Sequence, residues 1–170
     1  FLDDVKIMSF DHKITDLKFH IDKLVPTNVC QYFIDFYENN IQHSKPETSY
    51  KYQTKKNEYD NYGCINLTAL YDKDKTFEEP LNIAKKYIGV MITNYELYIR
   101  NNICPMFDLT TMSQSSNIRI LKYEKGSHIK DHSDVDFNIR ASCTLNLNED
   151  YEGGDFRFFD GQIKHSFKTG

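Results

Sequence analysis

His132 and Asp134 stand two positions apart within IRILKYEKGSHIKDHSDVDFNIRASCTLNLNEDYEGGDFRFF, the stretch 118–159. This stretch reads as short strands separated by tight turns. Side chains at i and i+2 of an extended segment leave on the same face, so an imidazole nitrogen and a carboxylate oxygen here can close on one metal ion. The pair would supply two of the three protein ligands of a 2-His-1-carboxylate facial triad, which leaves iron(II) with open positions for chemistry. The tripeptide alone is weak, because six His and sixteen Asp in 170 residues make a chance His-x-Asp expected. His20-Ile21-Asp22 is such a copy. It precedes the Pro26-Thr27 helix start and has no glycine turns or alternating strands around it, so it reads as structural.

The elements around the motif must place its side chains. At 170 residues, 39% hydrophobic and 27% charged with a formal charge of −4, the sequence fits one soluble domain with a sizeable core. No Lys/Arg cluster makes a footprint for nucleic acid. No apolar run reaches membrane-spanning length and no secretory leader opens the chain, so the expected setting is cytoplasmic. The chain starts on Phe1 rather than Met, which reads as a missing native start. Cys30, Cys64, Cys104 and Cys143 form no C-x-x-C pair and are expected to be buried, reduced thiols.

Alternating apolar positions around an Asp11-His12 turn (Val5 and Ile7, then Leu17, Phe19 and Ile21) predict two short strands. Pro26-Thr27 opens a helix with Val29, Cys30, Phe33, Ile34 and Tyr37 at helical spacing, closing at Asn39-Asn40. The polar span 42–62 reads as a mobile loop, and Cys64 to Tyr71 as a short strand or packed connector. Thr76 and Glu79 form a T-x-x-E capping box ahead of a helix ending near Asn101-Asn102. Leu81, Ala84, Ile88, Met91, Tyr95 and Tyr98 form its one apolar stripe, as in a brace laid on a sheet.

After a loop containing Pro105 and Ser113 to Ser116, β signals take over. A strand runs through Ile118 to Tyr123, Gly126 turns the chain, and a short strand carries it to His132. In a further strand from Arg140 to Asn148, Ser142, Thr144 and Asn146 share a polar face, and Cys143, Leu145 and Leu147 an apolar one. Gly153-Gly154 and Asp160-Gly161 are turn pairs able to take positive φ, the second closing a two-residue-loop hairpin. The expectation is an α+β fold: a jelly-roll half-barrel behind two helices, in a single domain 1–170 with its helical brace at about 26–102 and its jelly-roll strands at about 117–170.

Tyr123-x-x-Gly126 through His132-x-Asp134, an Arg140-started strand and Glu152-Gly153-Gly154-Asp155 together resemble the iron(II)/2-oxoglutarate-dependent dioxygenases, specifically the prolyl 4-hydroxylase-like group. The resemblance covers roughly the last third of the chain and rests on ordered spacing across three elements. It implies a double-stranded β-helix core, Fe(2+) held by His132 and Asp134, and 2-oxoglutarate contacted by Tyr123 and Ser142. It also implies ascorbate as an accessory reductant, and a peptidyl (prolyl) or small-molecule substrate hydroxylated as 2-oxoglutarate is decarboxylated to succinate. Glu152-Gly153-Gly154 is architectural in this reading.

The family needs a second histidine ligand and a Lys or Arg for the distal carboxylate of 2-oxoglutarate, both beyond the Gly-Gly hairpin. Phe167 to Gly170 resembles the turn ahead of the strand leading to them, so the chain reads as C-terminally truncated and inactive alone. His165 precedes that turn and reads as a packed or surface histidine. The alternative class is a non-catalytic jelly-roll binding or structural module with a degenerate metal site. A zinc hydrolase is disfavoured by the lack of H-E-x-x-H.

Overall fold

The computed structural model describes residues 13–46, 62–107, 117–129, 132, 141–159, 161–166 and 168–170. They form a mixed helix and sheet structure, so the chain is α+β. Pro26, with φ of −58°, leads directly into α1, Thr27–Asn39. Cys30, Phe33 and Tyr37 recur every three or four residues, share one face of that helix, and are its buried residues. At its end the Asn40 side chain donates to the Phe36 carbonyl (2.8 Å), satisfying a carbonyl that the helix leaves without an intrahelical donor.

Beyond a 3-10 turn at Ile41–His43, β1 (Lys45–Pro46) is the edge of a three-stranded antiparallel sheet of order β1-β2-β3. Proline is tolerated there because an edge position spares the ladder a donor. The span expected to be all loop, 42–62, thus contributes structure at 42–46 and at Tyr62, while 47–61 lies outside the described residues. β2 (Tyr62–Asn66) pairs with β3 (Arg119–Tyr123), and Ile65 faces Ile120 directly. These two isoleucines, with Phe33, Tyr37, Leu67, Leu81 and Ile118, make the core.

Cys64 to Tyr71 is two elements rather than one. The strand ends at Asn66, whose side-chain oxygen accepts the Ala69 N–H at 2.9 Å and starts α2, Leu67–Lys73. The Leu67 N–H donates to the Ile118 carbonyl (2.9 Å) and the Ile118 N–H to the Thr68 hydroxyl (3.1 Å), so α2 is pinned to the start of β3. The Thr76-x-x-Glu79 box does not form, because Asp74 takes both the N–H and the hydroxyl of Thr76, at 2.9 and 2.8 Å. Asp74, two residues before Thr76, takes the N–H that the Glu79 carboxylate would accept in the box, and these bonds hold the Asp74 carboxyl below its ordinary pKa. The result is a 3-10 turn, Lys75–Phe77, running straight into α3, Glu78–Asn102.

The apolar stripe of α3 serves two partners. Leu81 is buried in the core, with Ala84 and Ile88 packed against it. Farther along, Tyr95 and Tyr98 pack on Phe19, with ring centroids 5.9 and 5.0 Å away. Their hydroxyls donate to the Leu17 carbonyl (3.1 Å) and the Asp16 carbonyl (2.7 Å). The segment around Leu17 is therefore not the expected strand but a 3-10 turn, Ile14–Leu17. Asp16 takes the Lys13 N–H at 2.8 Å, a local bond that competes with ladder formation. Val5, Ile7 and the Asp11-His12 turn lie outside the described residues.

In the C-terminal third, 141–148 forms no strand ladder among the described residues, where a strand was expected. Among the described residues, its backbone tie to a distant segment comes from Gly170, whose N–H donates to the Asn146 carbonyl at 3.0 Å. The Gly170 carbonyl in turn accepts the Val25 N–H at 3.1 Å. A Cβ at Gly170 would lie 2.2 Å from the Val25 oxygen, so only glycine fits this clasp. β4 (Phe156–Phe158) and β5 (Ile163–His165) form the expected hairpin, with Phe156 opposite His165 and Phe158 opposite Ile163. The Gln162 N–H donates to the Phe159 carbonyl across its turn. No helix among the described residues is long and apolar enough to cross a membrane.

At the surface, the Lys122 ammonium reaches Glu38 of α1 at 2.8 Å, with both side chains well exposed. Solvent screening and lost side-chain freedom leave such pairs little net value. Lys122→Met should change unfolding free energy by less than about 1 kcal/mol in urea titrations.

Candidate functional site

Alternation along β2 and β3 sorts the site from the core. Gly63, Ile65, Ile120 and Lys122 are on the face toward α1, whereas Tyr62, Cys64, Leu121 and Tyr123 are on the other. Tyr62 and Tyr123 are cross-strand partners, with rings stacked at 4.8 Å between centroids and 26° between planes. Tyr62 is 6% exposed and Tyr123 44%. The residue expected to meet 2-oxoglutarate is thus accessible and stacked on a buried ring.

Immediately beyond Tyr123 the chain reverses. The Ser127 N–H donates to the Glu124 carbonyl at 2.9 Å, and Gly126 takes φ of +84°. An L side chain is strained in that region, so glycine suits this reversal. His132 is exposed. Asp134 lies outside the described residues, as does the Arg140 start of the next strand. Among the described residues no group of three or more His, Cys, Asp and Glu side chains is gathered as a metal site.

The polar face expected on 141–148 divides. Ser142 and Thr144 are exposed, but Asn146 is half-buried and engaged locally. Its amide donates to the Asn148 carbonyl at 2.6 Å, and its oxygen accepts the Tyr151 hydroxyl at 3.0 Å. Asn146 therefore braces the turn toward Gly153-Gly154. On the opposite side Leu147 packs against the core, whereas Cys143 is exposed. Of the four cysteines, all reduced, only Cys30 is fully buried, and burial pushes its thiol pKa up. The expectation of four buried thiols fails because Cys104 follows the last turn of α3 and Cys143 sits on a segment that joins no ladder among the described residues.

His165, at the end of β5, is packed against the N-terminal segment. Its ring lies 4.4 Å from that of His20, and its Nδ1 lies 3.4 Å from the Lys18 ammonium. The His20 copy of His-x-Asp is thus in contact with His165. Burial, helped by Lys18 and His20 and opposed by Asp22, pulls the His165 imidazole below the ordinary histidine value. The unfolded chain then takes up this proton more readily than the fold does. The corresponding stability is complete above the ordinary histidine value, about 6.5, and is lost as pH falls from there through the lower folded-state value. Urea midpoints measured from about pH 8 to pH 5 should fall toward acid, and His165→Asn should flatten that part of the profile. An unchanged profile would remove His165 as its source.

Sequence reasoning missed Tyr62, which it left at the edge of a polar loop. The available signal was alternation in Tyr62-Gly63-Cys64-Ile65-Asn66, but which residue it faces depends on a long-range register. Comparison with family models, curated proteins and solved structures gives no match for the chain.

Proposed function

We propose that the chain carries the metal-binding and cosubstrate-binding part of an iron(II)- and 2-oxoglutarate-dependent oxygenase with a jelly-roll core of the prolyl 4-hydroxylase-like kind. It would act on a C–H bond of a peptidyl, for example prolyl, or small-molecule substrate. The observation that carries this reading is the ordered run Tyr123, Gly126, His132, Asp134 and Gly153-Gly154. Three features support it: Tyr123 accessible at the end of β3, the left-handed Gly126 reversal after it, and the β4-β5 hairpin after the two glycines.

In this reading His132 and Asp134 hold Fe(2+), a neutral nitrogen and an anionic oxygen being suited to that ion. The bound iron with 2-oxoglutarate and dioxygen supplies the oxidation, yielding succinate and carbon dioxide; ascorbate keeps the metal reduced. The work of this chain's residues is to bind and orient. Tyr123 donates its hydroxyl to a carboxylate of 2-oxoglutarate, and Ser142 offers a second hydroxyl. Tyr123→Phe should weaken 2-oxoglutarate binding by about 1.5–3 kcal/mol, the value of a hydrogen bond to a charged group. Calorimetric titration of the full-length protein measures it, and equal affinity in the two forms would remove Tyr123 from the site.

The reading as a whole is tested by succinate release from full-length protein with iron, 2-oxoglutarate and ascorbate. Iron-dependent release that Asp134→Ala abolishes supports an oxygenase. A well-folded protein that neither binds iron nor releases succinate would instead be a non-catalytic jelly-roll module.

A further inference from the structure

We infer that Tyr62 is a positioning residue of this site: its buried ring backs the Tyr123 ring and fixes the direction of the Tyr123 hydroxyl. The inference rests on the assignment of Tyr123 to 2-oxoglutarate proposed above. The two tyrosines are direct partners in the β2-β3 ladder, where facing side chains interact most strongly. Their separation of 4.8 Å and angle of 26° are those of an offset-stacked aromatic pair. The 6% and 44% exposures make the roles unequal, since Tyr62 is enclosed by the protein while Tyr123 stays accessible.

The backing is itself anchored. Gly63, next to Tyr62, leaves the space taken by Tyr37 of α1: a Cβ at Gly63 would stand 2.0 Å from the Tyr37 hydroxyl oxygen. That hydroxyl is hydrogen-bonded to Ser44 at 2.7 Å, just before β1. Helix α1 therefore sits hard against β2 at the residue adjoining Tyr62. A half-exposed tyrosine without such backing would have to be ordered each time it bound a ligand, a cost that preorganisation removes. Tyr62 thus supports cosubstrate affinity without touching the cosubstrate.

The test labels Tyr123 as 3-fluorotyrosine in the full-length protein and follows its fluorine resonance alongside 2-oxoglutarate affinity. A ring clamped on Tyr62 gives separate signals for its two flipped states. Tyr62→Leu, which keeps an apolar side chain but no ring face, should merge them and weaken 2-oxoglutarate binding by about two- to tenfold. Tyr62→Phe, which keeps the ring, should restore both properties and serves as the folding control. In a Tyr123→Phe background, Tyr62→Leu should have no further effect on affinity, whereas a merely structural residue would weaken binding equally in both. Signals unchanged in Tyr62→Leu would overturn the clamp, whatever Tyr123 binds. Merged signals with unchanged affinity, where Tyr123→Phe alone does weaken binding, would overturn the positioning role. If Tyr123→Phe alone leaves affinity intact, the assignment of Tyr123 fails and the inference falls with it, a result distinct from the other two.

Discussion

Ile65→Ala is expected to destabilise the fold by about 2–5 kcal/mol, the range for truncating a large aliphatic side chain inside a packed core. Ile65 is fully buried, at 0% exposure, on the central strand of the β1-β2-β3 sheet. It faces Ile120 across the ladder, and the cluster around it joins Phe33 and Tyr37 of α1 to Leu67 of α2 and Leu81 of α3. One side chain thus touches the cluster in which three helices meet the sheet. The cavity left by alanine has little freedom to collapse, because α2 is pinned to β3 through Leu67 and Thr68 and Gly63 leaves no slack beneath Tyr37. Urea unfolding followed by far-UV circular dichroism measures the loss. A change below about 1 kcal/mol would mean that the Ile65–Ile120 pair is not the centre of the core.

Where local chemistry alone decides structure, the sequence was readable. Pro26 and a three-to-four-residue apolar rhythm gave α1 to within a residue of its bounds, and α3 ends at Asn102 as expected. Gly126, Gly153, Gly154 and Gly161 all take positive φ, as turn glycines should. Reading failed where two local options competed. Asp74 outbid the Thr76 box, Asp16 drew 14–17 into a turn, and Asn66 cut a strand short to start a helix. The Asn66 cap was a visible signal, since Asn is among the preferred residues there.

Reading also failed where the partner is distant. The period-two pattern of 141–148 is present in the sequence, but a strand needs a ladder, and among the described residues the Asn146 carbonyl takes a single N–H, from Gly170, in place of one. The candidate site was legible in the same uneven way. Tyr123 could be placed at a strand end before a glycine turn, because strand and turn are contiguous. Its stacking on Tyr62 depends on β2-β3 register, which no local rule supplies.

His132→Ala is expected to lower iron(II) affinity by about a hundredfold or more, since even supporting residues around a metal site cost 10–100-fold when removed. His132-x-Asp134 and His20-x-Asp22 are the same pattern in one chain, so the second serves as an internal control for the first. The two histidines differ in surroundings. Both are exposed; His132 follows the Gly126 reversal, and His20 has its ring 4.4 Å from that of His165. His20 is engaged with His165 rather than placed after a strand and a glycine turn, so it reads as the structural copy. Equilibrium dialysis of full-length protein against iron(II) under anaerobic conditions should give wild-type binding for His20→Ala, and a common severe loss for His132→Ala and Asp134→Ala. Losing His20 should instead show in stability, through the packing of His165. If His20→Ala abolishes binding while His132→Ala retains it, the metal site belongs to the N-terminal segment, and the assignment of His132 and Asp134 is wrong.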